Sequence, residues 1–96
     1  RGINVYPTAI GSHLEGVAEA TGEYICRWTR DGSREELCVV VEVHARSEAL
    51  ETRLHGLLRE KLGVEVRVEL VSPGETAPLT QIENRQKPIR LLDERG

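Results

Sequence analysis

Leu37-Cys38-Val39-Val40-Val41-Glu42-Val43-His44-Ala45 decides the fold. It is the longest β-branched, mostly apolar run in the chain, and β-branched residues suit a pleated, packed surface. Leu37, Val39, Val41, Val43 and Ala45 share one face; Cys38, Val40, Glu42 and His44 share the other. A uniformly apolar face backed by a mixed one reads as a central strand, with helices on one side and partial exposure on the other.

Immediately upstream, Glu23–Arg30 reads as a partner strand with Tyr24, Cys26 and Trp28 on one face, and Asp31-Gly32 is a hairpin signal. A loop spanning Arg30–Arg34 puts Cys26 opposite Cys38. Two such thiols could form a redox pair or half a metal site. Directly paired cross-strand thiols rarely form a relaxed disulfide, no other Cys completes a site, and burial as small hydrophobes is the default.

Downstream, Ser47 is a helix N-cap, with Glu48 and Glu51 in the first turn where the helix dipole favours anions. Leu50, Leu54, Leu57, Leu58 and Leu62 form one stripe, and Gly63 stops the helix. Val64–Leu70 alternates strictly, as a strand with one wet face does, until Ser72-Pro73-Gly74 ends it. At the other end, Ile3–Tyr6 reads as a short strand ended by Pro7. A helix from Thr8 to Ala20 follows, with Ile10, Leu14, Val17 and Ala18 on its apolar stripe and Gly22 as its stop.

The order β-α-β-β-α-β fits a split βαβ. The expected fold class is α+β, ferredoxin-like, with an antiparallel sheet, the first and third strands in the middle, two helices on one face, and an extended C-terminal tail over residues 72–96. Ile89, Leu91 and Leu92 could make one short docking element in that tail.

Ninety-six residues make one domain, and 30% charged with 39% hydrophobic residues is ordinary for a globular chain. A net charge of −3 with 3% aromatic residues argues against nucleic-acid binding. No apolar run approaches the ~20 residues that span a bilayer, and no signal peptide is expected. These features point to a cytoplasmic chain without membrane or nucleic-acid partners. The start at Arg1 without Met reads as a piece of a longer protein. His13, His44 and His55 are scattered, so no metal site is expected, and no Ser/His/Asp or Cys/His arrangement or Gly-rich phosphate loop is visible. The tail holds Arg85, Lys87, Arg90 and Arg95 against Glu83, Asp93 and Glu94. That is either a solvated charged terminus or an arm delivering one cation to a partner site. Lysine suits the second role as a compact charge on a long stem.

Arg1-Gly2-Ile3-Asn4-Val5-Tyr6-Pro7 resembles the start of the C-terminal domain of phenylacetate–CoA ligases, in the adenylate-forming acyl-CoA synthetase superfamily. The resemblance continues through Glu23-Tyr24, Thr29-Arg30-Asp31-Gly32, Glu36-Leu37, Leu62-Gly63-Val64, Val68-Glu69-Leu70-Val71 with Pro73-Gly74, and Arg90-Leu91-Leu92-Asp93. It implies a two-step reaction: a carboxylate and ATP (with Mg) give an acyl-adenylate, and coenzyme A then displaces AMP. The implied partners are an N-terminal ATP-binding domain of the same chain, an aryl carboxylic acid, ATP and CoA. On this reading the domain is a lid that swings between the two half-reactions. Lys87 is the implied catalytic lysine of adenylation, and Gly2 lines the CoA channel, where a side chain would obstruct pantetheine. The fragment alone is then inactive, since the nucleotide and acid sites lie outside it. Gln86 before Lys87 and Pro88-Ile89 after it depart from the family's Gly and Ala-Lys, and Gly11 replaces a common acidic residue. The alternative is a non-catalytic ferredoxin-like module for small-molecule binding or dimerisation.

Overall fold

The hairpin at the centre of the sheet is set by one glycine. In the computed structural model, which describes residues 6–95, β1 (Ala20–Asp31) and β2 (Arg34–Val43) pair antiparallel from Asp31↔Arg34 inwards. Gly32 takes φ 67°, the positive value needed at the first position of a two-residue turn whose twist matches its strands. The turn is shorter than the Arg30–Arg34 loop expected from sequence, which moves the register by one residue. Cys26 therefore faces Val39, while Cys38 faces Arg27. A one-residue slip changes faces, so the two thiols lie on opposite sides of the sheet.

Among the described residues the sheet has four strands in the order β3-β2-β1-β4, and it is mixed rather than antiparallel. α2 (Glu48–Leu62) carries the chain back along the sheet, so β3 (Arg67–Val71) lies parallel to β2. β4 (Leu91–Glu94) lies parallel to β1 on the other side. The middle of the sheet is thus the β1–β2 hairpin, not the first and third strands of the expected order. Of the strand expected over Ile3–Tyr6, only Tyr6 is among the described residues, and it is extended (φ −106°, ψ 103°). The class is α+β and the order of elements is of the ferredoxin-like type.

Both helices expected on one face are there. Ile10 and Leu14 of α1 (Ile10–Leu14) and Leu50, Leu54 and Leu58 of α2 pack on Tyr24, Cys26, Leu37, Val39, Val41 and Val43. Leu57 and Leu62 pack at the margin of this core. The Ser47 hydroxyl accepts from the Leu50 amide at 3.1 Å, and Gly63 closes α2 at φ 75°, as the sequence predicts. α1 is much shorter than Thr8–Ala20. One 3-10 turn (Pro7–Ala9) leads into it, and it ends at Leu14, before Gly16. The Val17 amide still returns to the Leu14 carbonyl (3.0 Å), which buries Val17 but leaves Ala18 exposed. Gly22 does not stop a helix. It lies within β1 at φ 99°, where residues 21–23 stand opposite Glu42 alone, in a β-bulge.

The second face of the sheet is covered by the segment that follows β3. Ile25, Val40 and Val71 are buried there, with Cys38, Ile89 and Leu92 packed against them. The segment is extended only in part. It forms α3 (Ala77–Thr80), then a loop, then β4, which realises the short docking element expected at Ile89, Leu91 and Leu92.

Candidate functional site

Lys87 stands on an exposed loop whose base is closed. α3 ends at Gln81, which takes the left-handed conformation (φ 56°) and returns its amide to the Ala77 carbonyl at 2.8 Å. Residues 81–88 then leave the sheet, and the Ile89 amide donates to the Thr80 carbonyl at 2.8 Å. Thr80 is fully buried, and its hydroxyl has no hydrogen-bond partner among the described residues. One residue past Ile89, the Arg90 carbonyl accepts from the Cys26 amide (2.8 Å), where β4 joins the sheet.

The loop borders an open cleft of about 520 Å³. Thr8 and Gly11 line it from the α1 side, Gly22 and Tyr24 from β1, and Lys87, Pro88 and Arg90 from the tail. Tyr24 is its floor. The phenol donates to the Pro7 carbonyl at 2.8 Å, and the Arg90 guanidinium lies over the ring, 4.4 Å from its centroid. Arg90 also donates to the Tyr24 carbonyl (2.7 Å) and to Glu23 (3.2 Å), and its side chain is only 13% exposed. Burial pushes the Tyr24 phenol up, although the backbone bond at Gly11 and the Arg90 charge pull it down.

The tail's cations divide into structural and unengaged groups. Arg90 is committed to Glu23, and Arg95 to Asp93 (2.7 Å), Glu35 (3.4 Å) and the face of Trp28 (4.1 Å). The bonds from Arg95 hold the Asp93 carboxyl down at about 2, and Asp93 raises the Arg95 guanidinium in turn. Arg85 donates to the Lys87 carbonyl at 3.0 Å. The Lys87 ammonium has no hydrogen bond or ion pair among the described residues, and the side chain is exposed. An ammonium held on an anchored loop beside a cleft can meet an anion supplied by another body. Gly2, the other site residue expected from sequence, lies outside the described residues.

Two participants were not singled out by the sequence. Arg90 stood in a quoted motif without a role. Glu42 is 4% exposed and accepts from the Thr76 hydroxyl, the Thr76 amide (3.0 Å) and the Thr21 hydroxyl (3.2 Å). Burial would raise its carboxyl, but the bonds from the Thr76 side chain, the Gly74 and Thr76 amides and Thr21 outweigh that and lower it. The available signal was a lone carboxylate inside a valine run. The described residues contain no group of three or more His, Cys, Asp or Glu placed to hold a metal ion. His55 meets Glu65 at 2.8 Å instead. Among the described residues no helix is long and apolar enough to cross a membrane.

Comparison with known proteins places this geometry. No curated sequence matches the chain. Among solved structures, 2-hydroxyisobutyryl-CoA ligase in complex with 2-HIB-AMP and CoA, in the thioesterification state, is 30% identical with a TM-score of 0.76, over 94% of this chain and 19% of that one. The same enzyme in its postadenylation state is 30% identical with a TM-score of 0.74, over 99% and 21%. This chain thus spans about a fifth of the length of those ligase chains. A domain of phenylacetate-coenzyme A ligase from Bacteroides vulgatus shares the fold, with a TM-score of 0.78 at 23% identity, over 100% of this chain and 90% of that one. The family model for the AMP-binding enzyme C-terminal domain matches residues 2–95, and the chain belongs to that family.

Proposed function

We propose that this chain is the C-terminal lid domain of an ATP-dependent, AMP-forming acid–CoA ligase of the phenylacetate–CoA ligase type, working against an N-terminal domain of the same polypeptide. Residues 1–96 form one domain of it, and residues 72–96 are its functional tail. The observation that carries the reading is the unengaged Lys87 ammonium on a loop anchored at Thr80 and Ile89. In the first half-reaction a carboxylate oxygen attacks the α-phosphate of ATP and pyrophosphate leaves. Negative charge gathers between carboxylate and phosphate, and Lys87 bridges the two as it does so. In the second, the CoA thiol attacks the acyl carbonyl and AMP leaves; Gly2 keeps the pantetheine passage clear. ATP with its magnesium, the acid and CoA are held mainly by the N-terminal domain. An aryl acid, phenylacetate first, is the proposed substrate, on the strength of the motifs quoted from the sequence. The reaction is cytoplasmic.

Half-reactions of the full-length protein test this. Lys87→Ala should slow adenylation by about 10²–10³-fold, the cost of losing one donor aimed at developing charge. Thioester formation from supplied acyl-adenylate should hardly change. Gly2→Leu should show the opposite pattern. Equal slowing of both half-reactions by Lys87→Ala would remove Lys87 from this role, and acyl-CoA formation by residues 1–96 alone would overturn the lid assignment.

A further inference from the structure

We infer that Glu42 is a positioning residue that ties the β1 bulge beside the Lys87 cleft to the turn that carries the Lys87 loop; this rests on the function proposed for Lys87. Its carboxylate sits opposite the β1 bulge and reaches both sides. On one side it accepts from the Thr21 hydroxyl, whose oxygen accepts from the Glu23 amide at 3.2 Å. That bond fixes the bulge around Gly22, which lines the cleft, and Glu23 in turn holds Arg90. On the other side Glu42 accepts from the Thr76 amide and hydroxyl. The Thr76 carbonyl accepts from the Leu79 amide (2.9 Å) and the Thr80 amide (2.8 Å), which makes the turn of α3. The Thr80 carbonyl then closes the Lys87 loop through Ile89.

A carboxylate buried on a sheet must be saturated with donors to remain charged, and the donors named here belong to the bulge next to Gly22 and to the turn that leads into the Lys87 loop. A hydrophobic residue at position 42 would fill the same space without joining the bulge to α3. The resulting arrangement fixes the loop base and leaves the Lys87 side chain free. A lysine that must reach a reacting centre in another domain gains from a base held in place.

The test has two arms. In the 96-residue chain, Glu42→Gln keeps the size but sets an NH2 against donors. Amide exchange at Thr80 and Ile89 should quicken about tenfold or more beyond the quickening in α2, whose core amides follow global stability alone. Thr76→Val should reproduce this, and Thr76→Ser, which keeps the hydroxyl, should restore protection; this pair serves if Glu42→Gln does not fold. In the full-length enzyme, Glu42→Gln should slow adenylation about tenfold and leave thioester formation from supplied acyl-adenylate within about twofold. Unchanged exchange at Ile89 in both Glu42→Gln and Thr76→Val overturns the inference whatever the kinetics. Quickened exchange with adenylation slowed by Lys87→Ala but not by Glu42→Gln also overturns it, while leaving the function of Lys87 standing. If Lys87→Ala has no effect on adenylation, the reading of Lys87 fails, and with it the positioning role.

Discussion

Arg90 lies over the Tyr24 ring, its guanidinium carbon 4.4 Å from the centroid, and the same guanidinium donates to the Tyr24 carbonyl at 2.7 Å. One side chain thus clamps the start of β4 to both the side chain and the backbone of β1. Arg90→Ala removes a cation–π contact and two bonds from a largely buried position, and should lower unfolding stability by about 2 kcal/mol. Arg90→Lys should recover only part of this, because an ammonium has no plane to stack and no fork to divide between acceptors. Urea midpoints of the three proteins measure it, and a full recovery by lysine would show that charge alone matters there.

Gly56 sits on the exposed side of α2, and a Cβ built on it meets nothing within 4 Å. Nothing in the packing requires glycine, so Gly56→Ala should stabilise by about 0.5–1 kcal/mol through the unfolded chain's lost freedom. A rise in the thermal midpoint checks it; a fall would mean that this face of α2 is not open.

The elements that sequence reading placed well are those fixed by local chemistry. α2 is set by Ser47, its leucine stripe and Gly63, and all three act as their side chains or backbone freedom dictate. The apolar face of β2 follows from alternation in the same way. What it placed poorly depends on residues distant in the chain. The alternation in Val64–Leu70 identifies a strand but not which neighbour it joins, and the parallel pairing with β2 comes from the length of α2. Gly22 looked like a helix stop because a helix stop and a bulge call on the same positive φ. The tail's charges left Lys87 open between a solvated terminus and a cation-delivering arm, and resemblance supplied its role, since an exposed lysine in a charged tail carries no local signature. Glu42 was legible as an anomaly in a valine run, but Thr76 and Thr21 lie 34 and 21 residues away from it.

The two thiols face opposite sides of the sheet, and both are poor nucleophiles. Burial pushes Cys26 up to about 12 and raises Cys38 as well. The folded chain should therefore form no intramolecular disulfide under mild oxidation, and Cys26, fully buried, should resist alkylation until the protein unfolds. Mass spectrometry after iodoacetamide at neutral pH reads this directly. Rapid modification of both residues in the folded state would contradict the register that separates them.

Glu42 also gives the fold a specific acid sensitivity. Its partners are hydroxyls and amides rather than cations, and they lower its carboxyl below the ordinary value of 4.5. A group lowered by folding stabilises the native state above its unfolded pKa, and that contribution is lost as pH falls through the folded value. Wild-type stability should therefore drop as pH falls below about 4.5, when protons begin to compete with Thr76 and Thr21 for the carboxylate. Glu19, Glu35 and Asp93 are lowered too, by arginine partners, and add to the same slope. Comparison with Glu42→Gln separates them, since the variant keeps those three groups and lacks only the fourth. At about pH 6 the variant should be less stable than wild type by about 1–3 kcal/mol, and the gap should narrow as pH falls below about 4.5 towards the lowered folded value. Parallel urea-midpoint curves across that range would mean that Glu42 is not charged in the folded protein.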